Sequence, residues 1–140
     1  MATVADTGFV VGLAIASDQW HSECLKIYRK QAEIFLPQTV LAETAYLLAR
    51  SGGNLVMAKF LKALPKTKYK LTALQPIDID RTALILEQYA DSRLDFVDAS
   101  VAALAERLDA ATILTIDHRD FRIIRPNHVE YFELQPQLQV

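Results

Sequence analysis

Six carboxylates stand where chemistry could use them: Asp6, Glu43, Asp95, Asp98, Asp117 and Asp120. Asp6 and Asp117 close the apolar runs "TVAD" and "ATILTID", Asp95 and Asp98 open "LDFVDASVAALAERL", and Glu43 lies one turn into "TVLAETAYLLAR". Singly, each has a structural explanation. Asp6 can satisfy a turn at Thr7 and Gly8, Asp95 can cap a helix with Asp98 at its third position, Asp117 can cap "DHRDF", and Asp120 can pair with Arg119 or Arg122. Together these explanations do poorly, because four separated segments each deliver an acid to a strand end or to a buried helix start. Carboxylates buried near one another cost several kcal/mol unless their charge is neutralised. A hard divalent cation, magnesium or manganese, neutralises them through oxygen ligands and retained water, and the scarcity of histidine and cysteine disfavours zinc. Such a site suits phosphodiester hydrolysis, in which metal charge activates water and offsets charge on the phosphate.

The elements that must position these acids follow from the apolar pattern. "TVAD" reads as a strand ending in a turn at Thr7 and Gly8; "DQWHSECLKIYRKQ" is an amphipathic helix with Trp20, Cys24, Ile27 and Gln31 on one stripe; "EIFLP" is a second strand. Thr39 caps a helix through "TVLAETAYLLARSGG" that Gly52 or Gly53 ends, and "NLVMAKFLKAL" continues as another. "LTALQPI" reads as a strand, Asp78 or Asp80 caps "RTALILEQYADSR", and the Asp95 segment forms the next helix. "ATILTID" and "VEYFEL" complete the strands. The expected fold is therefore α/β: a three-layer α/β/α sandwich with a mainly parallel central sheet of four to five strands, residues 1–134 forming one domain before a short polar tail, 135–140. In open parallel sheets, ligand sites gather at the carboxyl ends of strands. Asp6 and Asp117 both stand at such ends.

Composition narrows the class. The chain has 140 residues, 51% of them hydrophobic, with a net charge of −2. That length is one domain's worth. No apolar run is long enough for a membrane span, the N-terminus lacks a basic region before its apolar stretch, and the lone Cys24 suits the cytoplasm. Charge is unevenly spread: between Glu43 and Asp78 there is no acid, while Arg50, Lys59, Lys62, Lys66, Lys68 and Lys70 are all basic. This run reads either as a solvated helix face or as a phosphate-facing surface beside the acids. His118 is a candidate for proton transfer, though metal-assisted hydrolysis does not require it. Arg119, Arg122 and Arg125 can pair with acids or touch a nucleic acid.

"VADTGFVVGLA", "LAETAYLLAR", "LDFVDASVAALAERL" and "ILTIDHRDF" resemble, in order and approximate spacing, the four acidic motifs of PIN-domain ribonucleases, especially the VapC-type toxins of toxin–antitoxin pairs. The resemblance covers about residues 3 to 132. It implies that Asp6, Glu43, Asp98 and Asp117 hold the metal, with Asp120 competing with Asp117 as the fourth acid. Thr7 would bond a metal-bound water, and Asp95 would support Asp98 or simply cap the helix. It further implies magnesium- or manganese-dependent cleavage of RNA, a homodimer, and a cognate antitoxin partner, with Lys59, Lys62, Lys66, Lys68 and Lys70 guiding the RNA backbone. Two other readings compete. One is a PIN-like RNA-binding or scaffold module without nuclease activity. The other is a phosphatase or receiver-type protein with Asp6 as nucleophile, against which stands the absence of a second acid before Asp18.

Overall fold

In the computed structural model, which describes residues 2–138, a five-stranded sheet runs in the order β3-β2-β1-β4-β5. Every pairing is parallel. The strands are β1 (Thr3–Ala5), β2 (Ile34–Pro37), β3 (Tyr69–Thr72), β4 (Thr112–Leu114) and β5 (Glu133–Gln135). Between them lie α1 (Thr7–Ala14), α2 (His21–Lys30), α3 (Gln38–Ala63), α4 (Pro76–Gln88), α5 (Phe96–Arg107) and the short α6 (His118–Ile123), with a 3-10 turn at Leu64–Lys66. The strand order reverses at β1, so right-handed crossovers place α1 to α3 on one face and α4 to α6 on the other. β1 sits at the centre of the sheet, flanked by β2 and β4. The reversal puts the topological switch point, and with it the expected crevice, at the carboxyl end of β1. No described helix is long and apolar enough to cross a membrane.

Burial explains the elements. Val4, Ala5, Ile34, Leu36, Ile113 and Leu114 are fully buried in the three middle strands; each large side chain so buried contributes roughly 1.5–3 kcal/mol. Helix α5 buries every residue from Ala99 to Ala105. Its run of small side chains lets the helix backbone come close to β1 and β2, which it contacts.

Several local expectations shift. "TGFVVGLA" is helix α1, not a turn; Thr7, Phe9, Val10 and Gly12 are all buried, so the segment shows no polar face from which helical periodicity could be read. The expected strand "LTALQPI" is cut short: β3 ends at Thr72, and Pro76 opens α4, where its fixed φ favours a helix start. Neither Asp78 nor Asp80 is the N-cap, which is Gln75; Asp78 sits at the third position and accepts from the Gln75 backbone N–H at 2.8 Å. Thr39 lies inside α3, whose N-cap is Pro37. The break expected at Gly52 or Gly53 falls at Gly53, whose φ of 81° and ψ of 178° interrupt α3; an L side chain rarely takes that conformation. "VEYFEL" contributes only its end to β5, and Gln135, expected in the tail, closes that strand. Gln139 and Val140 of the tail, and Met1, lie outside the described residues.

Candidate active site

The strand ends and helix starts deliver the acids to one place. Asp6, Glu43, Asp95, Asp98, Asp117 and Asp120 line a single open hollow of about 430 Å³, together with Thr7, Gly8, Leu47, Arg93 and Ile116. All seven candidate acidic and hydroxyl positions are thus brought together. Asp6 follows β1 directly as the N-cap position of α1. Asp117 follows β4 after Thr115 and Ile116 and caps α6, accepting from the Asp120 N–H at 3.4 Å. Asp95 and Asp98 form a reciprocal capping box on α5: Asp98 N donates to Asp95 Oδ1 at 2.9 Å, and Asp95 N donates to Asp98 Oδ2 at 3.3 Å. The cap expected for Asp95 therefore coexists with the place of Asp98 in the hollow.

Two hydrogen-bonding residues that sequence reasoning passed over, Thr115 and Ser100, hold this constellation. The Thr115 hydroxyl donates to Asp6 Oδ2 at 3.0 Å and accepts from the Asp117 N–H at 2.9 Å. One buried hydroxyl thus ties the acid of β1 to the acid after β4. Ser100 Oγ donates to the Val97 carbonyl at 2.8 Å and meets Thr39 Oγ1 at 2.7 Å. That contact pins the start of α5, with Asp98, to the start of α3, with Glu43. Gly8 matters for space: a Cβ there would come within 2.5 Å of Ile116 Cγ1. The only signals for these residues were small or hydroxyl side chains two residues from an acid.

Charge is concentrated, with Arg93 the one basic group among the described residues of the lining. Burial, followed at a distance by the charges of Glu43 and Asp117, pushes the Asp6 carboxyl up to about 7 despite hydrogen bonds from the Thr7 backbone and the Thr115 hydroxyl. Asp98 is pushed up to about 8 by burial, then by the charges of Asp6 and Asp95. Asp117 is raised by burial and by its contact with Asp120. Each of these carboxylates gains from a nearby cation. Among the described residues no three His, Cys, Asp or Glu side chains stand ready-made around a metal position, but the donor set fits a hard dication: it is all oxygen, and it includes a buried atom with no hydrogen-bond partner, Thr7 Oγ1.

The lysines take no part in this hollow. None of Lys59, Lys62, Lys66, Lys68 and Lys70 lines it. Lys59 borders a separate, largely apolar hollow beside Phe60 and Tyr69. Lys68 Nζ donates to the carbonyls of Tyr28 and Arg29 at 2.9 and 3.2 Å and lies over the Tyr28 ring, while Lys70 lies over Phe35. The basic side chain that does line the acid hollow is Arg93. His118 borders a different hollow, with Arg122, Arg125 and Tyr131, and burial followed by the Arg122 charge lowers its pKa.

Comparison with known proteins identifies relatives of the chain and of its fold. The model of the PIN domain matches residues 3–125. Ribonuclease VapC26 of Mycobacterium tuberculosis is 28% identical over 124 residues, which is 88% of this chain and 92% of that protein. Among solved structures, VapC20 of Mycobacterium tuberculosis, described as a sarcin-ricin loop cleaving toxin, superimposes with a TM-score of 0.73 at 19% identity, over 80% of this chain and 87% of that one. VapBC2 from Rickettsia felis, bound to a DNA fragment from its promoter, gives a TM-score of 0.68 at 19% identity, over 89% and 93%. At these identities the structural likeness is one of fold.

Proposed function

The chain belongs to the PIN-domain family, and from that premise we propose that it is a magnesium- or manganese-dependent endoribonuclease, the toxin of a pair whose other member is a protein antitoxin. The observation that carries the reading is the convergence of Asp6, Glu43, Asp98 and Asp117 on one hollow at the carboxyl end of the central strand. Its kinship with the ribonuclease VapC26 supports the same activity.

Asp6, Asp98, Glu43 and Asp117 would hold the cation, and Thr7, at the first position of α1, would bond a water beside it. When bound, the cation supplies the positive charge that activates water and offsets the charge gathering on the phosphodiester. The protein's own part is placement. Thr115 fixes the spacing of Asp6 and Asp117, the Asp95 cap fixes the first turn of α5, and the Thr39–Ser100 contact sets α5 against α3. Asp6 is almost wholly buried, at 5% exposure. Its charge therefore acts through a poorly screened path on whatever occupies the hollow.

Purified protein incubated with total cellular RNA in magnesium, in manganese and in EDTA tests the proposal, with mapping of the new RNA ends. Cleavage at discrete positions in either metal, abolished by EDTA, is expected. Absence of new ends in both metals would leave the binding-module reading in its place.

A further inference from the structure

We infer that Arg93 is the side chain that receives a backbone phosphate of the RNA at the acid hollow, and that Asp120 positions it; the inference rests on the ribonuclease reading. The first support is charge. Six carboxylates and one guanidinium line the hollow, so a polyanion entering it meets repulsion from every charged protein group except Arg93. The clustered lysines do not line the hollow. Arg93 lies in the short segment just before the Asp95 cap, so its backbone enters the site with the helix that carries Asp98.

The second support is the state of its ion pair. Among the described residues three pairs join a basic to an acidic side chain, and two are closed. Arg107 Nε donates to both oxygens of Asp78 at 2.9 and 3.0 Å, and Arg81 meets Glu106 through Nε and Nη2 at 2.6 and 3.1 Å. Arg93 differs: its Nη2 stands 3.6 Å from Asp120 Oδ1, beyond hydrogen-bond reach, and its side chain is 65% exposed against 8% for Asp120. Asp120 Oδ1 is buried and accepts no hydrogen bond. A guanidinium carries five N–H donors in a planar fork suited to two phosphate oxygens at once. With one edge turned loosely toward Asp120, the rest of the fork is available to a ligand.

The third support is that the base of this arm is fixed while its head is free. Ser92 Oγ donates to the Tyr89 carbonyl at 2.6 Å and accepts from the Leu94 N–H at 3.2 Å. Leu94 is buried in the core. The backbone on both sides of Arg93 is therefore held, and only side-chain torsions need settle when phosphate arrives. This division also separates the two acids that sequence left in competition. Asp117 caps α6 beside Asp6 and Thr115, and Asp120 holds the arginine.

The test uses the intact protein and an RNA that the wild type cuts, under steady-state conditions with magnesium. Arg93→Ala should lower kcat/KM roughly 10- to 100-fold, as expected for loss of a charge-assisted phosphate contact. It should also flatten the salt dependence of RNA binding by about one unit of log–log slope, leaving half-saturation by magnesium and the Tm unchanged. Arg93→Lys should recover part of the loss and Arg93→Gln none. Asp120→Asn should have a smaller effect, and in the Arg93→Ala background it should add little. Wild-type kcat/KM and salt slope in Arg93→Ala would overturn the inference. So would an Asp120→Asn variant whose main defect is weaker magnesium saturation, since Asp120 would then be a metal-holding acid. A wild type that cuts no RNA is a different result, and it removes the ribonuclease reading itself.

Discussion

Asp78 and Asp98 occupy the same position in two neighbouring helices. Each is the third residue of its helix and accepts from the backbone N–H of the N-cap residue, Gln75 in α4 and Asp95 in α5. Beyond the cap their surroundings part. Asp78, 1% exposed, meets Arg107 in a closed two-oxygen contact. Asp98 faces the charges of Asp6 and Asp95 and is held well above the ordinary carboxylate range, at about 8. The cap is a local arrangement, serving orphan N–H groups and the helix dipole in both cases. Neutralisation is tertiary, and it separates a carboxylate paired with a guanidinium from one left among like charges.

The sharpest way to break this comparison is to remove each carboxylate in turn. Asp98→Asn should reduce RNA cleavage at least about 1000-fold, as loss of a metal-holding acid implies, while the circular dichroism spectrum stays that of wild type. Single-turnover cleavage near the wild-type rate would return Asp98 to the same class as Asp78. Asp78→Ala should do the reverse. It leaves Arg107 without its partner and Gln75 without its cap, and should cost about 2–4 kcal/mol in urea unfolding with kcat per folded molecule retained.

A third comparison uses pH. The folded Asp6 carboxyl sits at about 7 against an ordinary 3.8, so the metal-free folded state binds a proton that the unfolded state has released over that interval. The stability Asp6 contributes is therefore complete below its ordinary value and lost as pH rises through about 7. Unfolded in EDTA, Asp6→Asn should overtake wild type as the buffer is raised from about pH 5 to about pH 8, by on the order of 2 kcal/mol. Parallel stability curves for the two proteins would contradict the uncompensated burial of Asp6. The smallest expected effect is that of the cation. Magnesium at ten times its Kd should stabilise wild type by about 1.4 kcal/mol, visible as a rise in Tm that Asp98→Asn lacks and Asp78→Ala keeps.

What could be read from sequence here divides along the same line as Asp78 and Asp98. Strand ends and helix starts are local, so Asp6, Asp98 and Asp117 were recognisable from an apolar run and the residue next to it, and the alternation of elements implied the parallel sheet. Helix α1 was missed because burial of Thr7, Phe9, Val10 and Gly12 leaves no polar side to mark a period. The lysines lie outside the acid hollow for a different reason: closeness in the chain is not closeness in space, and the segment from Lys59 to Lys70 runs through the end of α3 into the edge strand β3. Arg93 and Thr115 were invisible for the converse reason. Each is an unremarked residue until the fold brings Asp120 to the one and Asp6 to the other.

The contact between Gly8 and Ile116 makes these two positions a lock and its key. With no side chain at position 8, Ile116 lies against the start of α1, and a methyl there would collide at 2.5 Å. Gly8→Ala should therefore act as a wedge between the β1–α1 junction and the loop after β4, prising Asp6 from Asp117 without touching either. Trimming the opposite surface with Ile116→Ala should relieve the wedge, so the double variant should recover cleavage that the single one loses. The two residues are expected to tolerate change as a couple and to resist it alone.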